Sequence, residues 1–289
     1  MPAASHRFQI GSMCCTVLSD GYAEHPAEWS FPNAERVDLA EALYGHGSAR
    51  DRIVSPHTCL LVEAGSHVLL VDTGLGSGSR TSGAILARLG AAGIRRQDVD
   101  TVVFTHAHPE QIGGAIERRS PAVALPQFPN ARYVMAEAEW DFWMSAKPDL
   151  SALRAPDEVK AEMRATARRC LTALRHQVEL IPGESEILPG VRVLAAPGHT
   201  PGHVALLLSS GGEQLLHLGD AATHPLHLER PNWENGFDRS PQQALATRQK
   251  LLERALCEAM HVMTFHFPFP SVGRVAARQE GGWEWTPGW

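Results

Sequence analysis

The sequence predicts an α/β fold in which two β-rich halves pack face to face with helices on the outside. Three observations point that way. Short Val- and Leu-rich runs recur along the whole chain, helix-like segments interleave with them, and no Ser/Gly linker or change of composition separates the halves. Residues 1–289 are therefore read as a single domain.

In the first half, strand-like runs fall at residues 14–18, 58–63, 68–72, 101–105 and 132–135. In the second they fall at 191–195, 204–208, 214–218 and 262–265. Most of these runs stop at Gly, Asp or His, residues that end strands in turns and loops. Helical segments are read at 83–92, 136–145, 156–176 and 241–260, the last with Leu245, Leu252, Leu256 and Met260 as its apolar positions. The 156–176 segment is strongly charged (DEVKAEMRATARR) and lies between the halves, so a solvated surface or cap helix is expected there.

Composition narrows the function. A hydrophobic share of 44% with 20% charged residues is that of a globular protein, and the net charge of −6 lacks the basic stripe that phosphate neutralisation needs. Nucleic acid is therefore not an expected partner. No apolar run approaches the roughly 18–20 residues that span a bilayer, and the first residues lack a basic segment followed by an apolar one. The expectation is a cytoplasmic protein with no membrane partner. Cys14, Cys15, Cys59, Cys170 and Cys257 are odd in number and form no CxxC pair, which suits buried or incidental thiols in a reducing compartment.

The informative feature is where histidines and aspartates fall. Rigid scaffolds place functional groups on the loops that follow strands. The run at 101–105 is followed by HAHPEQIGG, which carries His106, His108, Glu110 and Gln111, and the run at 191–195 by PGHTPGH, which carries His199 and His203. GDAATHP brings Asp220, FHFPFP brings His266, and VDTG places Asp72 in the same way. A lone histidine at a strand end is more often a satisfied loop residue. Four strand ends that each supply imidazole or carboxylate point to a bound metal, with zinc the ion that prefers this donor set and keeps a position open for water.

Asp72 in VDTG, HAHPEQ, PGHTPGH, LGDA and the late His266 resemble the five ordered motifs of the metallo-β-lactamase superfamily, across residues 58–270. The stretches FPNARYVMAEAEWDFW, HLGDAATHPLHLERPNW and HFPFPSVGRV are similar to its branch of lactonases and methyl parathion hydrolase. The resemblance implies an αββα sandwich with metal at one edge of the two sheets. It also implies a first metal site of His106, His108 and His199, with Asp220 able to bridge to a second site containing His266. Asp72 would stand behind the ligands and hold the histidine loop.

Where the family usually reads HxHxDH, this chain reads HAHPEQ. Glu110 lengthens one carboxylate and Gln111 replaces an imidazole by an amide, so both changes fall on the second site. One zinc is expected, with the second site empty, weak or taken by a metal more tolerant of oxygen; iron and manganese are the alternatives to zinc. Glu110 would then act as general base, and Glu110 and Asp220 would steer protons. The activity implied is hydrolysis of a small ester, lactone, thioester or phosphoester. A mononuclear iron oxidoreductase of the persulfide-dioxygenase kind and a catalytically weakened binding protein are the rival readings. A small-molecule substrate is the expected partner, and a homodimer is the default from prevalence.

Other residues invite a role. His203 is read as bracing its turn, and His224 and His227 as loop-bonded rather than pocket residues. Trp140, Phe142, Trp143, Trp233, Phe267 and Phe269 are read as core before substrate wall.

Overall fold

The structure, a computed structural model, describes residues 5–49, 51–77, 79–120 and 123–289. The first sheet is built from β1 (Ser5–Ile10), β2 (Met13–Pro26), β3 (Arg52–Ala64), β4 (His67–Val71) and β5 (Thr101–Val103). A separate hairpin follows, β6 (Ile116–Ser120) and β7 (Val123–Pro126), before β8 (Arg132–Ala136) and β9 (Val178–Ile181) complete that sheet in the order β1-β2-β3-β4-β5-β8-β9. The second sheet runs in sequence order: β10 (Ser185–Leu188), β11 (Val191–Ala195), β12 (Val204–Ser210), β13 (Glu213–His217), β14 (His261–Met263), β15 (Val272–Ala277) and β16 (Trp283–Pro287).

Burial on both faces of the central strands forces the layers. In β12, Leu206 and Leu208 join Val17, Leu60, Val62 and Val103 of the first sheet in one inter-sheet core, whereas Ala205 and Leu207 face the other way. There they meet Leu251, Leu252 and Ala255 of the Pro241–Cys257 helix. The outer face of the first sheet is covered by the Ile85–Ala91, Glu137–Met144 and Asp157–Leu174 helices, around Leu61, Leu70, Val102 and Tyr133. The result is the αββα sandwich the resemblance implied, and such strands read as continuous apolar runs because neither face is wet.

Several boundaries differ from the sequence reading. The runs at 14–18 and 58–63 belong to strands of 14 and 13 residues, whose added ends pair from Gly21↔His57 to Pro26↔Arg52 beyond a bulge at Ser19/Gly21. Those ends are half-exposed and carry Gly and Pro, so they lack the apolar pattern that marks a strand. The run at 262–265 ends as a strand at Met263, which leaves Phe265 and His266 in the following loop. Leu256 is 39% exposed; the buried stripe of its helix is Ala244, Arg248, Leu251, Leu252 and Ala255. The 156–176 segment is not a merely solvated helix, since Met163, Ala167, Cys170, Leu171 and Leu174 bury one face of it in the first outer layer.

Strands β4, β5, β8 and β9 are parallel to one another, as are β13 and β14, while β11 and β13 both run antiparallel to β12. The C-terminal ends of β11, β13 and β14 therefore share one edge of their sheet, and those of β4 and β5 share one edge of the other. No helix among the described residues is long and apolar enough to cross a membrane. Leu206 is fully buried between the sheets, so Leu206→Ala should lower the unfolding free energy by about 2–5 kcal/mol in urea titration, the cost of an uncollapsed core cavity.

Candidate metal centre

The five loops meet. His106, His108, His199 and Asp220 each present a ligand atom within 4.8 Å of the others, and so do Glu110, Asp220 and His266. Asp220 belongs to both groups. Its Oδ2 lies 3.6 Å from His106 Nε2, 3.4 Å from His199 Nε2 and 3.2 Å from His266 Nε2, and His266 Nε2 is 3.9 Å from Glu110 Oε1.

Two of the three imidazoles, His106 and His199, are oriented from behind. Asp72 leaves its strand with φ 59°, a region that Asp tolerates better than most residues, and is fully buried. Its carboxylate accepts the Thr105 N–H at 2.9 Å and the Thr105 hydroxyl at 2.8 Å. Because that hydroxyl proton is used, Thr105 Oγ1 must accept from His106 Nδ1, 3.1 Å away. His106 Nε2 then carries a bare lone pair, buried and without any hydrogen-bond partner. His199 Nδ1 faces Asp238 Oδ1 at 2.8 Å, and its Nε2 lies 3.1 Å from His108 Nδ1. His203 donates from Nδ1 to the Ala196 carbonyl and accepts the Asp220 N–H at Nε2, both at 2.9 Å, which fixes the loop bearing Asp220.

Three buried residues hold this arrangement and were not singled out in the sequence. Glu139, in the first turn of the Glu137–Met144 helix, accepts four hydrogen bonds: Ala107 N–H (2.8 Å), the Trp143 indole (2.7 Å), the Thr200 hydroxyl (2.6 Å) and Gly202 N–H (3.1 Å). It thus ties the HAHPEQ loop of one sheet to the PGHTPGH loop of the other. Burial pushes its carboxyl pKa up, yet all four donors are satisfied together only by the ionised form. Gly202 is required for the approach, because a Cβ there would stand 2.1 Å from the Glu139 nitrogen. The other two are Asp238 and Arg248, whose Nη2 is 3.9 Å from Asp238 Oδ2 and whose Nε donates to Ala221 O at 2.6 Å. An acid in a helix's first turn and an Asp among turn-forming residues (PNWENGFDRSP) resemble ordinary caps and turns, so neither announced itself.

Charge follows from this packing. Burial lowers the pKa of His106 and His108 well below the usual imidazole value and keeps them neutral. At His199 burial acts in the same sense, but the carboxylates of Asp220 and Asp238 outweigh it and push the pKa up to about 10. Burial also opposes ionisation of Asp220, and His266 and His106 overcome it, holding the carboxyl well below its usual range. The bare Nε2 of His106, the Asp220 carboxylate and a His199 that its two carboxylates keep protonated mark a position where a cation would take that proton's place. The donor set, three imidazoles and a carboxylate, with Asp238 behind His199 and the Asp72-held hydroxyl of Thr105 behind His106, fits zinc.

A cleft of about 260 Å³ opens onto this cluster. The unanticipated ends of β2 and β3 line it with Ala23, His25, Ile53, Ser55 and His57, and Trp29, Leu75, Val159 and Phe237 supply further apolar wall. His57 Nδ1 donates to Ser82 Oγ, whose proton goes to the Tyr22 carbonyl. Burial holds His57 at about 3, so its Nε2 remains an acceptor. The six aromatics weighed in the sequence do not line this cleft: Trp143 and Phe267 are core, Trp140, Phe142, Trp233 and Phe269 pack against core clusters. His224 Nδ1 accepts the Leu226 N–H and His227 packs on Phe31, both away from the cleft lining.

Comparison with known proteins agrees with the site. The sequence profile of the metallo-beta-lactamase superfamily matches residues 52–262. An N-acyl homoserine lactonase of Bacillus sp is 25% identical over 238 residues, covering 73% of this chain and 81% of the relative. The N-acyl homoserine lactonase AiiA of Bacillus thuringiensis subsp. kurstaki is 26% identical over 221 residues, covering 68% and 76%. Among solved structures, AidC, a dizinc quorum-quenching lactonase in complex with a homoserine product, superposes with a TM-score of 0.91 at 25% identity over 99% of this chain and 98% of that one. The hydrolase AbOPH shares the fold with a TM-score of 0.87 at 24% identity, over 100% and 99%. These matches are hydrolases and give no support to the iron oxidoreductase or the non-catalytic reading.

Removing the carboxylate behind His199 tests the outer support. Asp238→Asn should weaken zinc about 10–100-fold in a chelator competition while leaving the far-ultraviolet circular dichroism unchanged. Judged by its profile match and its two converging donor groups, the chain belongs to the metallo-β-lactamase superfamily and is a metallo-hydrolase.

Proposed function

We propose that this protein hydrolyses a lactone or a similarly small carboxylic ester at a zinc ion held by His106, His108, His199 and Asp220. The observation that carries the reading is the convergence of those four buried donors at the base of a cleft whose walls are largely apolar. The lactonase relatives support the ester class.

Zinc bound there would act as a Lewis acid on the ester carbonyl and lower the pKa of water from 15.7 towards about 7. The chain's own residues do the rest. Trp29, Phe237, Val159 and Ile53 offer an acyl chain a dry wall, and His57 Nε2 offers a hydrogen-bond acceptor to a substrate N–H or O–H. Asp220 stays ionised and fixes the histidines that surround it. Glu110 faces the same cleft from the Pro109–Ile112 turn, where Pro at the first helical position sets the backbone, and its side chain is 25% exposed. Burial pushes its pKa up despite the opposing pull of His266, which makes it the better proton acceptor of the two carboxylates. Glu110 would take a proton from water and return it to the alkoxide as the ester opens.

The test is turnover of an N-acyl homoserine lactone, an aryl ester and a thioester by zinc-loaded protein, followed by acid release or thiol detection. His106→Ala/His108→Ala should lose the metal and reduce kcat/KM by at least about 1000-fold, the scale of several kcal/mol of transition-state stabilisation. Undiminished turnover in that variant, or no turnover of any of the three substrates by the parent, refutes the assignment.

A further inference from the structure

We propose that the two cation positions differ in character: beside the nitrogen-rich zinc position lies an oxygen-rich one, built from Glu110, Gln111, Asp220 and His266, that takes a hard divalent cation of the manganese type. The inference rests on the zinc reading of the first position given above.

Three observations carry it. The lengthened carboxylate of Glu110 is not out of reach, because its oxygen, Asp220 and His266 Nε2 all lie within 4.8 Å of one another. His266 Nδ1 sits 2.8 Å from both Ser55 Oγ and the Pro56 carbonyl, and a carbonyl can only accept, so that nitrogen carries the proton. His266 Nε2 is thus the ring nitrogen turned towards the two carboxylates, at 3.2 Å and 3.9 Å, and the one left for a cation to take. Gln111 completes the set. It is fully buried, its amide nitrogen is 3.5 Å from both Asp220 oxygens, and its amide oxygen has no hydrogen-bond partner. A buried carbonyl without a donor is uncommon, and a half-turn of the amide, which now points its nitrogen at Asp220, would bring that oxygen to a cation beside Asp220.

The donor count then separates the positions. Three imidazoles and one carboxylate suit zinc; two carboxylates, one amide oxygen and one imidazole suit manganese, for which oxygen donors are the natural partners. Zinc outranks manganese at any such site in raw affinity, so the expected signature is a shrunken lead for zinc at the second position. Occupancy need not silence Glu110, since a carboxylate has two oxygens and can hold a cation with one while the other accepts a proton.

The experiment loads stripped, full-length protein with one equivalent of zinc. A second equivalent is then titrated by calorimetry, and in parallel Mn²⁺ is added while the free-ion electron paramagnetic resonance signal is followed. The second zinc should bind at least about 100-fold more weakly than the first, more than the loss of an outer partner alone costs. One Mn²⁺ per chain should leave the free pool without releasing zinc. Glu110→Asp/Gln111→His should bring the second zinc to within about tenfold of the first, and His266→Ala should abolish Mn²⁺ uptake alone. Two zinc ions of equal affinity in the parent, or Mn²⁺ that stays free, would overturn the proposal. Neither readout depends on turnover, so a protein that shows this uptake yet opens no ester overturns only the substrate reading.

Discussion

Everything at this site depends on one electrostatic problem: polar, electron-rich side chains are forced together where the protein buries them. His106 Nε2 has no partner, His108 Nδ1 and His199 Nε2 stand 3.1 Å apart, and the Asp220 carboxylate lies against them. A proton that the two carboxylates hold on His199 offsets part of this crowding, and a bound cation would take its place. The protein resists the rest with second contacts that cannot relax, Asp72 through Thr105 to His106, Asp238 to His199, and His203 to the Asp220 backbone. Those contacts keep the lone pairs aimed inward, and positive charge resolves the strain.

The same contacts explain why the fold needs two sheets of parallel-ended strands rather than one. Each sheet brings only part of the cluster to its edge, the first through His106, His108 and Glu110 and the second through His199, Asp220 and His266. The inter-sheet core of Leu60, Val62, Leu206 and Leu208 sets their separation, and close-packed interiors transmit such spacing with little slack.

Much of this was legible in the sequence. Apolar runs that stop at His or Asp placed the central strands and the ligand loops, because strands buried on both faces have a continuous apolar signature and their ends must turn. The half-wet extensions of β2 and β3 were not legible, since alternation there is broken by Gly21 and Pro26, and with them went the cleft wall of His25, Ile53 and His57. Glu139 and Asp238 were invisible for a different reason. Their importance lies in what reaches them from distant loops, Thr200 and Gly202 in one case and His199 in the other, and pairings 39 to 63 residues apart in the chain leave no local pattern. Glu110 and Gln111 were noticed, but whether the longer carboxylate still reaches its neighbours is a question of side-chain path that spacing alone does not answer.

The single carboxylate of Glu139 bolts together loops that issue from opposite halves of the molecule, and its four donors come from residues 107, 143, 200 and 202. Residues 5–181, which carry the strands of the first sheet, lack Thr200 and Gly202 as well as His199, Asp220 and His266, so they own neither the bolt's full thread nor a complete set of ligands. A full set of donors therefore exists only once the two sheets have docked, which couples completion of the site to assembly of the layers.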